Sequence, residues 1–150
     1  MQLRNLISQY RITPNNMAKL LTSDEGALMK SAMFDTLYSK FSDHGLFSMT
    51  VDFAKFVSEI DMTPADNCPN ELDIHCLLVS EEGGEDQGSN YEIVMQLKLL
   101  DDTEPVFLAV TGDYSSYSGI CWDWAVATYC KPVEVVVTEY RFDNLFGEQA

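Results

Sequence analysis

Through the first 60 residues the apolar side chains recur at helical spacing, and from Glu71 onward they recur at every second position. Leu3, Leu6, Ile7 and Tyr10 fall at i, i+3, i+4 and i+7, which is one face of a helix. Thr13 followed by Pro14 predicts a second helix, because the hydroxyl can cap free N–H groups and proline fits the first turn; Met17, Leu20 and Leu21 supply its stripe. The capping box Thr22-Ser23-Asp24-Glu25 opens a third and longest helix, striped by Met29, Met33, Leu37 and Phe41, flanked by Phe34 and Tyr38 and stopped by Gly45. A fourth helix is expected from about Thr50 to Ile60, with Phe53, Phe56, Val57 and Ile60 on one side. Since an amphipathic helix must bury one face, the Met and Phe stripes read as core rather than as a ligand pocket.

The stretch 63–70 carries two prolines and no periodicity, so it separates the helical part from the β-prone part. Leu72, Ile74, Cys76 and Leu78 then alternate with their neighbours, as do Tyr91, Ile93, Met95, Leu97 and Leu99; each run predicts a strand. Residues 80–90 must be the loop between them, and the Asp101–Pro105 turn leads into a third β-prone run, Val106–Thr111. After the segment 112–131, the run Val133–Tyr140 has the highest strand propensity in the chain. The expected architecture is α+β: N-terminal helices packed on one face of a four-stranded antiparallel β-meander. At 150 residues the chain is the size of one domain, with 1–60 as the helical part and 71–142 as the sheet.

Charge divides along the same line. Residues 1–60 hold six cations and six acids, whereas residues 61–150 hold eighteen acids against Lys98, Lys131 and Arg141, so the net charge of −15 belongs wholly to the second part. Such a field repels nucleic acid and anionic lipid, whose recognition needs Lys and Arg; a basic protein surface is its natural counterpart. In a meander alternate connections share one end of the sheet. One end should therefore gather Glu81, Glu82, Glu85, Asp86, Asp113 and Asp123 beside Tyr114, Tyr117, Trp122 and Trp124. Tyr and Trp in a Ser/Gly-rich loop give large contact area with few torsions to freeze, so these ten residues form the predicted partner-binding surface. The competing reading is that the tryptophans pack over the open edge of the sheet.

Catalytic and metal signatures are weak. Cys68, His75, Cys76, Cys121 and Cys130 show no zinc spacing, and His75 and Cys76, as neighbours in a strand, must point to opposite faces. The acidic loop 80–90 lacks the register of a calcium-binding loop, and no P-loop, GxGxxG or GxSxG occurs. No cofactor, metal or catalytic residue is expected. No apolar run reaches the roughly 20 residues of a membrane span, Leu3–Ile12 lacks the features of a secretory signal, and the four cysteines form no CxxC pair. A cytoplasmic protein with reduced thiols is the expectation.

The order Gly112-Asp113-Tyr114-Ser115-Ser116-Tyr117-Ser118-Gly119, continued after an insert by Lys131-Pro132-Val133-Glu134-Val135-Val136-Val137-Thr138, resembles the C-terminal hairpin of small proteins encoded by tailed bacteriophages. Low pI and small size are also similar to phage anti-defence proteins, including anti-CRISPR proteins and DNA mimics. The resemblance implies a protein of the host-cell cytoplasm that binds and inhibits a host protein whose basic surface normally holds nucleic acid. Two alternatives stand beside it: a phage structural or assembly component that self-associates, and a small hydrolase using clustered carboxylates with a divalent ion. The sequence also admits a homodimer.

Overall fold

The computed structural model describes residues 2–21, 46–60, 62, 67–83, 90–100, 102–115 and 119–143, with backbone alone at 47, 115 and 119–124. Among them the order is α1 (Leu3–Gln9), α2 (residues 14–21), β1 (Leu46–Asp52), α3 (Phe53–Glu59), β2 (Glu71–Gly83), β3 (Asn90–Leu99), β4 (Val106–Ser115) and β5 (Gly119–Cys130). The strands form a five-stranded antiparallel meander in sequence order. The protein is thus α+β, with one strand more than the sequence pattern suggested.

The first two helices form where the apolar spacing places them, and their ends are secured as the capping logic requires. Thr13 accepts a hydrogen bond on its hydroxyl from the Asn16 N–H at 3.1 Å. Between the helices Arg11 takes a left-handed φ of 52°, which lets the Ile12 N–H reach back to the Ile7 carbonyl at 2.9 Å and closes α1. No side chain of its own caps the start of α1; instead the Leu3 N–H donates to the buried Asp102 carboxylate at 2.7 Å. Asp102 also accepts from the Glu104 N–H at 3.4 Å, so one carboxylate holds both the helix start and the β3–β4 turn. The third helix expected from the sequence, from Thr22 to Gly45, lies outside the described residues.

The expected helix from Thr50 to Ile60 begins three residues late. Thr50, Val51 and Asp52 belong to β1, which pairs with β2 from Leu46↔Leu77 to Asp52↔Glu71. Asp52 then caps α3, accepting from the Lys55 N–H at 3.1 Å, while the Phe53 and Ala54 N–H groups take the Asn70 carbonyl at 2.8 and 3.3 Å. The helical spacing from Phe53 to Ile60 is real, but it says nothing about the residues before the cap.

Three further expectations are corrected at the other strands. The 80–90 loop is shorter, since β2 runs to Gly83 and β3 resumes at Asn90; 84–89 lie outside the described residues. The 112–131 segment is mostly a hairpin, with β4 continuing to Ser115 and β5 pairing back from Ser115↔Gly119 to Phe107↔Cys130. Val133–Tyr140 is not a strand at all: residues 131–143 carry no regular secondary structure and every one of them is exposed.

The core sits between the helices and one face of the sheet. Ile74, Cys76, Ile93, Met95, Leu97, Leu108 and Val110 are fully buried along β2, β3 and β4, at alternate positions, and pack in one cluster with Leu3, Leu6, Met17, Leu20, Phe53 and Val57. The ring of Tyr10 meets Phe53 edge-on, centroids 5.4 Å apart, which joins α1 to α3. The other edge of the sheet is tied to the α1–α2 corner: Asn15 accepts from the Ala127 N–H of β5 at 3.3 Å, and the Tyr129 hydroxyl donates to the Ile12 carbonyl at 3.1 Å.

Candidate functional site

The register brings part of the predicted partner-binding surface to one end of the sheet. Gly83 stands opposite Tyr91, Tyr91 opposite Gly112, and Asn90 opposite Asp113, so Glu81, Glu82, Asp113 and Tyr114 all lie at the end where the β2–β3 and β4–β5 connections turn. Glu85, Asp86 and Tyr117 lie outside the described residues. Trp122, Asp123 and Trp124 fall in β5 where the ladder is irregular, between Thr111↔Val126 and Asp113↔Cys121, and only their backbone is described.

The acids at this end divide between the two faces. A bulge between Leu78 and Ser80 shifts β2 by one residue, which places Glu81 opposite Ile93 on the core side; there its carboxylate accepts from the Tyr91 hydroxyl at 3.0 Å. Glu82 faces the opposite way and stands directly across from Glu92, whose carboxylate also accepts from the Thr111 hydroxyl at 3.3 Å. Like charges directly opposed across strands destabilise a sheet, and among the described residues neither Glu82 nor Glu92 has an ion pair. Gly83 shapes the corner: at φ 104° an added Cβ would lie 2.0 Å from the Asn90 carbonyl oxygen, so no other residue fits. Tyr114 is half-buried against the core, which makes it a packing residue as much as a contact residue.

Burial pushes the Cys76 thiol up to about 12, away from the thiolate form a nucleophile needs. Partial burial and the charge of Glu92 raise Cys130 as well. Cys76 is buried on the core face while His75 lies on the other, as their adjacency in a strand requires. Among the described residues no group of three or more His, Cys, Asp and Glu could hold a metal ion, and no helix is long and apolar enough to cross a membrane.

A second surface was not anticipated. The segment 131–143 leaves the end of β5 as an arm without regular secondary structure that exposes Val133, Val135, Val136, Val137, Tyr140 and Phe142. Within the arm Arg141 pairs with Glu139 at 2.5 Å, a contact between near neighbours. A mostly apolar groove of about 320 Å³ opens at its root, lined by Arg4 and Ile7 of α1, Val106 and Phe107 of β4, and Tyr129 and Lys131. The signal for an arm was present in the sequence: Val135, Val136 and Val137 are consecutive, so both faces of any strand there are apolar, which a sheet covered on one side cannot satisfy. Comparison with known proteins gives no match to a protein-family model, to a curated protein or to a solved structure.

Proposed function

We propose that this chain is a non-enzymatic interaction protein that works as a subunit of an assembly, joined through its C-terminal arm. The observation that carries this reading is the arm itself, a β-prone segment with six large apolar side chains in solvent and no place in the described sheet. Contiguous exposed apolar surface marks a site of association, and a β-prone segment outside the described sheet is able to pair with a partner's strand. The arm, exposed along its whole described length, remains for partners. Sedimentation equilibrium of the full chain and of a chain ending at Lys131 tests the reading: the full chain should associate and the shortened one should be monomeric. Equal monomeric masses for both would sink it.

A second reading draws on the acidic end. Glu82 and Glu92 oppose each other with no cation paired to either among the described residues, an arrangement that costs the sheet stability and suits a surface offered to a basic partner. The protein would then act as an inhibitor or adaptor of a host protein with a basic surface. Its test is salt: affinity for such a partner should fall steeply as ionic strength rises, and salt-independent binding would exclude the electrostatic mechanism.

A further inference from the structure

The arm differs from the sheet it leaves in charge as well as in pairing. Residues 61–130 hold fourteen acids against Lys98 alone, and of these Asp73, Glu81, Glu82, Glu92 and Asp113 are exposed on β2, β3 and β4. Residues 131–142 hold Lys131 and Arg141 against Glu134 and Glu139, so the arm sums to zero. Two of its four charges, Glu139 and Arg141, also pair with each other. A neutral, apolar segment is thus joined directly to a strongly acidic body. Contact through the arm brings no net charge toward a second copy, but it does bring the body behind it.

We infer that association of copies through the arm is gated by ionic strength: the acidic bodies hold copies apart at low salt, and screening lets the neutral arms bind; this rests on the self-association proposed above. A body of about 130 residues has a radius of gyration of about 14 Å. The Debye length is about 30 Å at 0.01 M salt and about 8 Å at 0.15 M. At the lower salt the field of one body therefore reaches well past its own surface to the next copy, and at the higher it dies away close to the surface. Each copy carries −15, and the repulsion grows with the product of the two charges. The apolar contact of the arms depends little on salt in this range, so the sum turns favourable as salt rises. The sign is the reverse of that for a basic partner on the acidic end, whose affinity falls as salt rises.

Sedimentation equilibrium of the full chain in sodium chloride, from about 0.01 M to about 0.3 M, reads the gate. The association constant should rise about tenfold or more across that range. A variant carrying Glu82→Gln, Glu92→Gln and Asp113→Asn, all at exposed positions, should associate more tightly than the parent at the low-salt end and match it at the high-salt end. Val136→Asp, at a position 97% exposed, puts a charge into the neutral arm and should weaken association at every salt concentration. Association that salt leaves unchanged or weakens, or a rise that the neutralised variant shares in full, would overturn the gate and leave self-association standing. Association that Val136→Asp does not touch would remove the arm as the contact, and the gate on it. A parent chain that is monomeric at about 100 µM throughout the range would overturn both the gate and the self-association.

Discussion

β5 and the arm are consecutive in the chain, and only one of them is in the sheet. Gly119–Cys130 follows a Ser-rich stretch and carries the Gly and aromatic residues that suggest a loop, yet it pairs with β4 over Gly119–Cys121 and again over Val126–Cys130. Val133–Tyr140 has far stronger β-propensity and pairs with nothing among the described residues. The difference lies in the neighbour. With Phe107 opposite Cys130, one further rung reaches the start of β4 at Val106, and the rung after that would set Pro132 against Pro105. Neither proline has an N–H to give, and each restricts the residue before it, so both strands stop together. Propensity is a property of a segment, whereas membership of a sheet depends on a partner still being there.

The sharpest way to break this comparison is to delete apolar atoms on each side of it. Ile93 is fully buried in the central strand, so Ile93→Ala should lower the unfolding free energy by about 2–5 kcal/mol in urea denaturation. Val136→Ala in the arm should change it by less than about 0.5 kcal/mol when measured on dilute monomer. Comparable losses would mean that the arm belongs to the core after all.

Asp102 tests whether the first helix is anchored from the sheet. It is 6% exposed and holds the Leu3 and Glu104 N–H groups, so Asp102→Ala should cost about 1.5–3 kcal/mol, together with earlier proteolysis near the N-terminus. A neutral outcome would show that α1 is held by packing alone.

Alkaline pH should reveal the buried acids of the core side. Burial raises Cys76 from 9.0 to about 12 and Tyr129 from 10.0 to about 12. Both folded-state values lie above the unfolded ones, so the stability they contribute is whole below pH 9 and drains away as pH rises toward 12. The urea midpoint should hold up to pH 9 with respect to these two groups and fall beyond it, and Tyr129→Phe should flatten the upper part of that fall. The smallest expected effect is at the acidic end, where Glu82→Gln should raise stability by about 0.2–1 kcal/mol at low salt and by less at high salt.

Much of the sheet and of the first helices was legible because their signals are local and agree with their burial. Leu72, Ile74 and Cys76 alternate in sequence and are buried in the structure, and Thr13 caps the helix that its spacing announces. β1 was missed because the helical spacing from Phe53 was carried back to Thr50, although Ser48, Thr50 and Asp52 already alternate with Phe47, Met49 and Val51. The acidic end was legible as a topological fact, since Glu82 and Asp113 do share it, but not the bulge that turns Glu81 toward Tyr91 on the other face. The arm was legible only in part: the consecutive Val135, Val136 and Val137 argue against a strand covered on one side, but where the sheet stops turns on the end of β4, which no window over residues 133–140 contains.

Amide hydrogen exchange across residues 133–140, monitored at several protein concentrations, bears most directly on the arm as an intermolecular strand. Slow exchange that emerges as concentration rises and disappears on dilution is the expected result. Fast exchange at every concentration, or slow exchange independent of it, would contradict the account, the first because the arm never pairs and the second because it is already satisfied within its own chain.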